Sequence, residues 1–468
     1  MRSVAVGAAL AAAALVGGMV LPSAASASVV SVVYGWGNNS DGQTGVGPTG
    51  GSQLRPVPVS GMATNVVQLA GGFHFNVSLR SDGTVWAWGN NSSGQLGDGT
   101  RQSSSVPVQV HGLPAGIVQV TAGLNHAGAV ASDGSVWTWG DNSYGELGYP
   151  TPAGSPASSA SQVPGVPGVK QVSAGSSFTV ALRTNGEVWT WGRGDSGQLG
   201  DGTHISHTAP ARNLAVYGMT QVSAGDSYAL ALRPGSVWAW GANNMGQLGN
   251  GSTGTDSAAP VVVDRRTQNA TKIVAGAYHA FAVDPDGSLW AWGDNTFGAL
   301  GIGVVDSPAG PFGHGRNVPT HLSLTGVTQL AAGVEESMAL RSDGTLLAWG
   351  MDQFGLLGNG TQNNGNVASP TPVTAVTGVT GLAIGGNTQL VIAAAGVMPN
   401  VVGENRFTAV AVLNDLGLIV HVTFIPDPDP LCDKVGSVAS QFPQPGALVT
   451  PGQDAFLRVY GPHQGGCS

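Results

Sequence analysis

The groups in this sequence that could carry chemistry are few and scattered. His204 and His207 stand three residues apart, a spacing that can offer two imidazole nitrogens to a metal ion. The segment around them has turn composition and supplies no third ligand, so the pair reads as a solvated loop. Glu335 and Glu336 are neighbouring carboxyls. A glycan-cleaving pair must flank one bond, and in an extended strand adjacent side chains point to opposite faces. His74, His126 and His279 each close a recurring glycine-led turn, which suits packing or hydrogen bonding better than proton transfer. Turns such as 90–97 are rich in Asn, Ser and Gly but lack the spaced carboxylates and closing Glu of a calcium loop. No H-E-x-x-H, G-x-S-x-G or phosphate-binding glycine loop occurs. The expectation is a chain without catalytic residues, metal or cofactor.

What must position these groups is a folded core. Only 9% of residues are charged while 42% are hydrophobic, so a chain of this kind buries its apolar surface or aggregates. The balance is acidic, at −9, with lysine only at Lys170, Lys272 and Lys434. Without a basic stripe, phosphate backbones are repelled, which argues against nucleic-acid partners. The N-terminus has the form of a secretory signal. Arg2 precedes an uncharged run from Val4 to Val20, Pro22 breaks it, and Ala25-Ser26-Ala27 offers a cleavage site. Residues 1–27 are therefore expected to be removed. The mature chain is expected outside the membrane, secreted and associated with the cell wall.

Periodicity carries the fold. A Trp-x-Trp-Gly element recurs, and its second Trp falls at 36, 88, 139, 191, 240, 292 and 349. All twelve tryptophans lie in these elements. In four units Asp-Gly separates two alternating apolar runs, as in Asn76–Arg80, Asp82-Gly83 and Thr84–Trp88. That is a strong hairpin signal, because Gly accepts positive φ. Ser105–Val110 and Ile117–Val120 supply two more strand candidates, so about 50 residues hold four strands, one blade. There are seven Trp halves and seven glycine-led halves; the array starts with a Trp half and ends with a glycine-led half, so an N-terminal strand pair can complete the last blade and leave no open edge.

The full pattern, A-G-x-x-H, apolar strand, D-G, V-W-x-W-G-x-N-x-x-G-Q-L-G, resembles the regulator-of-chromosome-condensation repeat, over residues 29 to 396. The resemblance implies an all-β, seven-bladed β-propeller with strand-exchange ring closure at 28–396. It also implies that the residues after each recurring glycine line one face of the ring. These are Phe73, His74, Asn125, His126, Phe178, Asp226, Tyr228, Tyr278, His279, Glu335, Glu336 and Asn387. Aromatic and acidic side chains on a rigid concave face suit a protein partner. The segments 150–168, 252–271 and 304–325 vary in length and read as recognition loops.

From Val397 the composition changes and Trp is absent. Ala409, Val412, Leu413 and Leu416 fall on one helical face, with Gly417 placed to end the helix. Strands are expected at Leu418–Phe424 and Ala455–Tyr460. Pro399-Asn400-Val401-Val402-Gly403, the helix, Ser440–Gly446 and Pro451-Gly452-Gln453 together resemble a PASTA domain, a small α+β unit expected at 397–468. The resemblance implies contact with cell-wall peptidoglycan or a muropeptide. Cys432 and Cys467 are the two cysteines, and in an exported chain they are expected to form one disulfide.

The expected function is a bacterial, secreted, non-enzymatic binding or scaffold protein. Its propeller face would hold a protein partner and its C-terminal domain would contact the wall. Secreted propellers of this repeat also resemble β-lactamase inhibitory proteins, which gives one alternative. Guanine-nucleotide exchange, known for the family, is disfavoured by export, acidity and the missing basic tail. An enzyme on wall glycan is disfavoured by the placement of Glu335 and Glu336. Ultraviolet sensing in the family uses a Trp cluster at the glycine-led turns, where this chain has none.

Overall fold

The computed structural model describes residues 31–62, 65–151, 154–307, 315–362, 365–397, 400–415, 418–428, 434–445, 447–449 and 453–462. The expected signal segment, Cys432, Cys467, Leu416 and Gly417 lie outside the described residues.

Seven four-stranded antiparallel sheets account for residues 31 to 394. The first is Val66–Gly71, Phe75–Arg80, Val85–Gly89 and Ser104–Gln109, in sequence order. The next five repeat it, with inner strands Ile117–Ala122, Val169–Ala174, Gln221–Ala224, Lys272–Ala275 and Val327–Ala332. The seventh joins the two ends of the array. Val379–Ile384 and Thr388–Ala394 pair with Ser31–Asn38 and Ser52–Pro58. Here Ser31 opposes Ala394 and Gly37 opposes Thr388. Each inner strand packs on the inner strand of the next sheet, and Val379–Ile384 packs back on Val66–Gly71, so the cycle closes. The architecture is that of a β-propeller.

The core lies between neighbouring sheets. Phe75, Val77 and Leu79 of the first sheet pack with Val120, Ala127 and Trp139 of the second, and equivalent clusters follow around the cycle. The alternating pattern buries one face of each strand against one neighbouring sheet and the other face against the other. The second Trp of every motif is fully buried. Its indole N–H reaches across to a backbone carbonyl of the preceding sheet's loop at 2.8–2.9 Å. The acceptors are Leu356 for Trp36, Gln43 for Trp88, Gln95 for Trp139, Glu146 for Trp191, Gln198 for Trp240, Gln247 for Trp292 and Ala299 for Trp349. The glycine after each of these tryptophans has φ between 93° and 109°, a region closed to most side chains. The first Trp of each pair is only half-buried.

A second inter-sheet latch uses glutamine. Gln171 donates from Nε2 to Val222 O at 2.8 Å and accepts from Val222 N at 3.0 Å. Gln68, Gln119 and Gln221 do the same to Val120, Val172 and Ile273. In the fifth sheet Lys272 takes this place and makes one bond, to Thr328 O at 2.8 Å. Gln171→Ala leaves two buried backbone groups of Val222 unpaired. Chemical denaturation should show a loss of about 2–4 kcal/mol. Lys272→Ala, at an exposed position, should lose less; equal losses would refute the amide latch.

The three segments read as recognition loops are corrected in part. They contain the outer strands Ala157–Gln162, Ser257–Val262 and Gly315–Leu322. Outer strands are half-exposed, so they lack the apolar alternation that marks a strand in sequence.

Among its described residues the C-terminal unit holds a helix, α1, Arg406–Asp415, a three-stranded sheet, and a short pairing of Gly396–Val397 with Leu448–Val449. In that sheet Asp454–Gly461 is central, parallel to Ile419–Pro426 and antiparallel to Val438–Phe442. Ala409 and Leu413 of α1 pack with Val438, Leu457 and Val459.

Candidate functional site

A glycine follows the inner strand of each sheet, and a short turn leads from it into the second strand. These glycines have no room for a side chain. A Cβ on Gly175 would run into the Phe178 ring, and one on Gly225 into the Tyr228 ring. In five sheets a ring, that of Phe75, His126, Phe178, Tyr228 or His279, therefore lies against the glycine and is buried.

That geometry divides the twelve sequence-predicted residues. Phe75, His126, Phe178, Tyr228, His279, Glu336 and Thr388 are equivalent, being the first residues of the second strands. All seven are buried. His126, Phe178, Tyr228, His279 and Glu336 are thus wall residues of the core, not of the open face. His74 is not the counterpart of His126 and His279. The doubled glycine Gly71-Gly72 shifts the register by one, and His74 sits in the turn. Phe73, His74, Asn125, Asp226, Tyr278, Glu335 and Asn387 stay at the loop mouth, partly exposed.

The mouth is held rigidly. The residue after each Trp-Gly donates its N–H to the second turn residue. The bonds run from Asn38 to Asn387, Asn90 to His74, Asp141 to Asn125, Arg193 to Ser177, Ala242 to Ser227, Asp294 to Tyr278 and Met351 to Glu335, all at 2.8–2.9 Å. Neighbouring turns are also latched: Ser176 N to Asp226 O at 3.0 Å, Asp226 N to Ala277 O at 3.1 Å, Ala277 N to Gly333 O at 2.8 Å and Gly386 N to Gly72 O at 2.8 Å. Sequence reasoning missed the residues after Trp-Gly as part of this mouth. Their fixed place in the repeat was the available signal.

Carboxyls dominate the mouth. Asp41 lies 3.3 Å from His74. Arg193 bonds Asp195 at 2.7 Å and lies over the Tyr144 ring at 4.9 Å. Asp294 is buried and accepts from Thr296. Burial, then the fields of Asp294 and Glu336, push the Glu335 carboxyl up to about 9. Burial pushes Glu336 up to about 8 and Glu146 to about 7. Glu146 stands where four repeats have Gln, and like them it accepts a backbone N–H two residues back, from Tyr144 at 2.8 Å. A protonated acid reproduces that amide. The Glu335 backbone N–H donates to Glu336 Oε2 at 3.0 Å.

The buried histidines are neutral. Burial lowers His126 to about 4 and His279 to about 3. Each meets a hydroxyl of the next sheet, Thr179 at 3.1 Å and Ser337 at 2.9 Å. His204 and His207 turn to different partners, Asp195 O at 3.0 Å and Asp201 Oδ2 at 2.7 Å. A cleft opens at the mouth, lined by Ser196, Asp226, Ser227, Asn244, Met245, Gln247 and Tyr278. A second lies among the inner strands and includes Gln68, Lys272, Thr328, Gln329 and Thr380.

Comparison with known proteins fits this architecture. The model of the RCC1-like domain matches residues 23–271 and 114–406. The ultraviolet-B receptor UVR8 of Arabidopsis thaliana is 31% identical over 66% of this chain and 70% of its own length. The human E3 ubiquitin-protein ligase HERC2 is 29% identical over 72% of this chain, which spans only 7% of that ligase. Among solved structures, Prp20p of Saccharomyces cerevisiae superposes with a TM-score of 0.68 at 21% identity, covering 78% of this chain and 91% of its own. With a matching domain model over most of its length, and a relative at this identity and coverage, the chain belongs to the RCC1-like domain family of β-propeller proteins.

Proposed function

We propose that this chain is an exported, non-enzymatic binding protein that presents the loop mouth of a seven-bladed ring to a protein partner. The observation that carries the reading is the double latch of the turns. A surface fixed by backbone bonds both within and between sheets loses little entropy on binding. It displays Phe73, Asn125, Asp226 and Tyr278 without rearrangement. The family scaffold serves receptors and ubiquitin ligases alike, so function resides in what the mouth displays. Prp20p, which shares the fold, binds Gsp1p and histones, and this supports partner binding as a use of the scaffold. A mouse relative is a secretion-regulating guanine nucleotide exchange factor, 30% identical over 73% of this chain. Exchange is not favoured for an acidic chain proposed to be exported. A binding role is also supported by the two histidine–hydroxyl pairs, which are sealed between sheets where no substrate reaches them.

The C-terminal unit is read as a PASTA-like domain that contacts peptidoglycan. Its helix-on-sheet packing and an exposed aromatic face, with Phe442 opposite Phe456 and His421 stacked on Phe456 at 4.9 Å, support that role.

The test is affinity capture with the full chain. Wild type is compared with Phe73→Ala/Asn125→Ala/Tyr278→Ala at the mouth and with Leu214→Ala/Tyr217→Ala, exposed residues away from it. The expected result is one protein held by wild type and the second variant, and lost about tenfold or more from the first. Equal capture by all three would sink the reading. Co-sedimentation with purified peptidoglycan, reduced by Phe442→Ala/Phe456→Ala, checks the C-terminal role.

A further inference from the structure

The cleft at the mouth has a composition that selects its occupant. Three sheets converge on it: the third through Ser196, the fourth through Asp226, Asn244, Met245 and Gln247, and the fifth through Tyr278. Ser227 Oγ donates to Asp226 Oδ2 at 2.8 Å. Among the described residues no donor engages the other oxygen, Oδ1. The Asp226 backbone is committed on both sides, its N–H to Ala277 O and its carbonyl to Ser176 N, so the carboxylate is held in place. Tyr278 supplies an aromatic wall and Met245 a thioether. Arg193, the cation whose field reaches Asp226, is engaged by Asp195.

A rigid carboxylate, an aromatic face and an apolar sulfur, with the exposed Asn244 amide at the rim, complement a guanidinium on an alkyl stem. The planar cation stacks on tyrosine and bonds the carboxylate and amide oxygens together. An anion meets repulsion, and a neutral polar group gains nothing from the charge. Burial, then the fields of Asp226, Glu335 and Asp294, raise the Tyr278 hydroxyl, which places the negative potential at this wall. We propose that the Asp226–Tyr278 cleft is a socket for an arginine side chain of the partner. The inference rests on the reading of the mouth as a partner surface and names the chemistry of its anchor.

The socket is tested without the partner. Acetyl-Gly-Arg-Gly-amide is titrated into the full chain carrying ¹³C-methyl methionine, with the Met245 signal identified by Met245→Leu. The citrulline tripeptide, neutral and of the same shape, is the control. The expected result is a saturable shift of the Met245 methyl, about tenfold weaker binding of the citrulline peptide, and loss of the shift in Asp226→Asn. No shift up to millimolar peptide, equal binding of citrulline, or a shift kept in Asp226→Asn each overturns the socket. The two readings fail separately. Capture lost in the triple mouth variant but kept in Asp226→Asn overturns the socket alone. Arginine binding with no protein captured overturns the partner surface alone.

Discussion

Trp36→Ala should destabilise the chain by about 3–5 kcal/mol, read as a fall in the denaturant midpoint. Trp36 is fully buried in the sheet that joins the two ends of the array. Its indole bonds Leu356 O at 2.8 Å across 320 positions of sequence, and its ring packs with Met338, Leu340 and Val391. The other six tryptophans latch sheets that follow one another in the chain. Losing one of those leaves the neighbours tethered by a short connection. Losing Trp36 loosens the closure itself, so Ser31–Asn38 can leave and bare the edge of Thr388–Ala394. Limited proteolysis should then cut near the N-terminal strands of Trp36→Ala before Trp191→Ala is cut anywhere. Trp36→Phe keeps most packing and loses the indole bond, at about 1–2 kcal/mol. If Trp36→Ala proves as stable as Tyr217→Ala, an exposed control, the closure argument fails.

Glu336→Gln should stabilise the chain, and more so as pH rises. In the unfolded chain the carboxyl ionises near 4.5; folded, burial holds it protonated to about 8. Between those values the unfolded state has lost a proton that the folded state keeps, so stability falls as pH rises through the window and levels off above it. Glutamine keeps the acceptor for the Glu335 N–H and cannot ionise. Wild type and variant should therefore match near pH 4 and separate by about 1–3 kcal/mol at pH 9, read from denaturant midpoints at each pH. Glu146→Gln should show the same sign over a narrower window, ending near 7. The buried histidines act in the opposite direction. Their folded values, about 4 and about 3, lie below the unfolded 6.5, so their contribution is present above 6.5 and is lost as pH falls. His279→Phe should flatten the acid side of the wild-type curve. Parallel curves for wild type and Glu336→Gln would refute the protonated state.

The repeat legible in the sequence came from chemistry that is local or strictly periodic. Trp, Gly and the Asp-Gly pair recur because each blade needs the same hairpin, the same buried indole and the same positive-φ glycine. Strand positions, hairpins and the pairing of the array's two ends follow from that count alone. The outer strand of the first sheet was legible too, at Ser105–Val110; those inside 150–168, 252–271 and 304–325 did not follow, because these half-exposed strands carry no clear apolar alternation. Nor did the division of the glycine-led turns. Gly71-Gly72 can be aligned two ways, and only packing of Phe75 onto Gly72 decides that His74 is in the turn while His126 and His279 are in the core. Glu336 reads in sequence as a surface acid among recognition residues; it is a sealed carboxyl, because the adjoining sheet covers it. The Asp226 cleft draws on three sheets whose contributing residues span 83 positions, from Ser196 to Tyr278. The chain's own residues determined the unit and its repetition. Which side chains reach solvent at the mouth was decided by how the units press against one another, because burial is a property of the contact between sheets and not of any one of them.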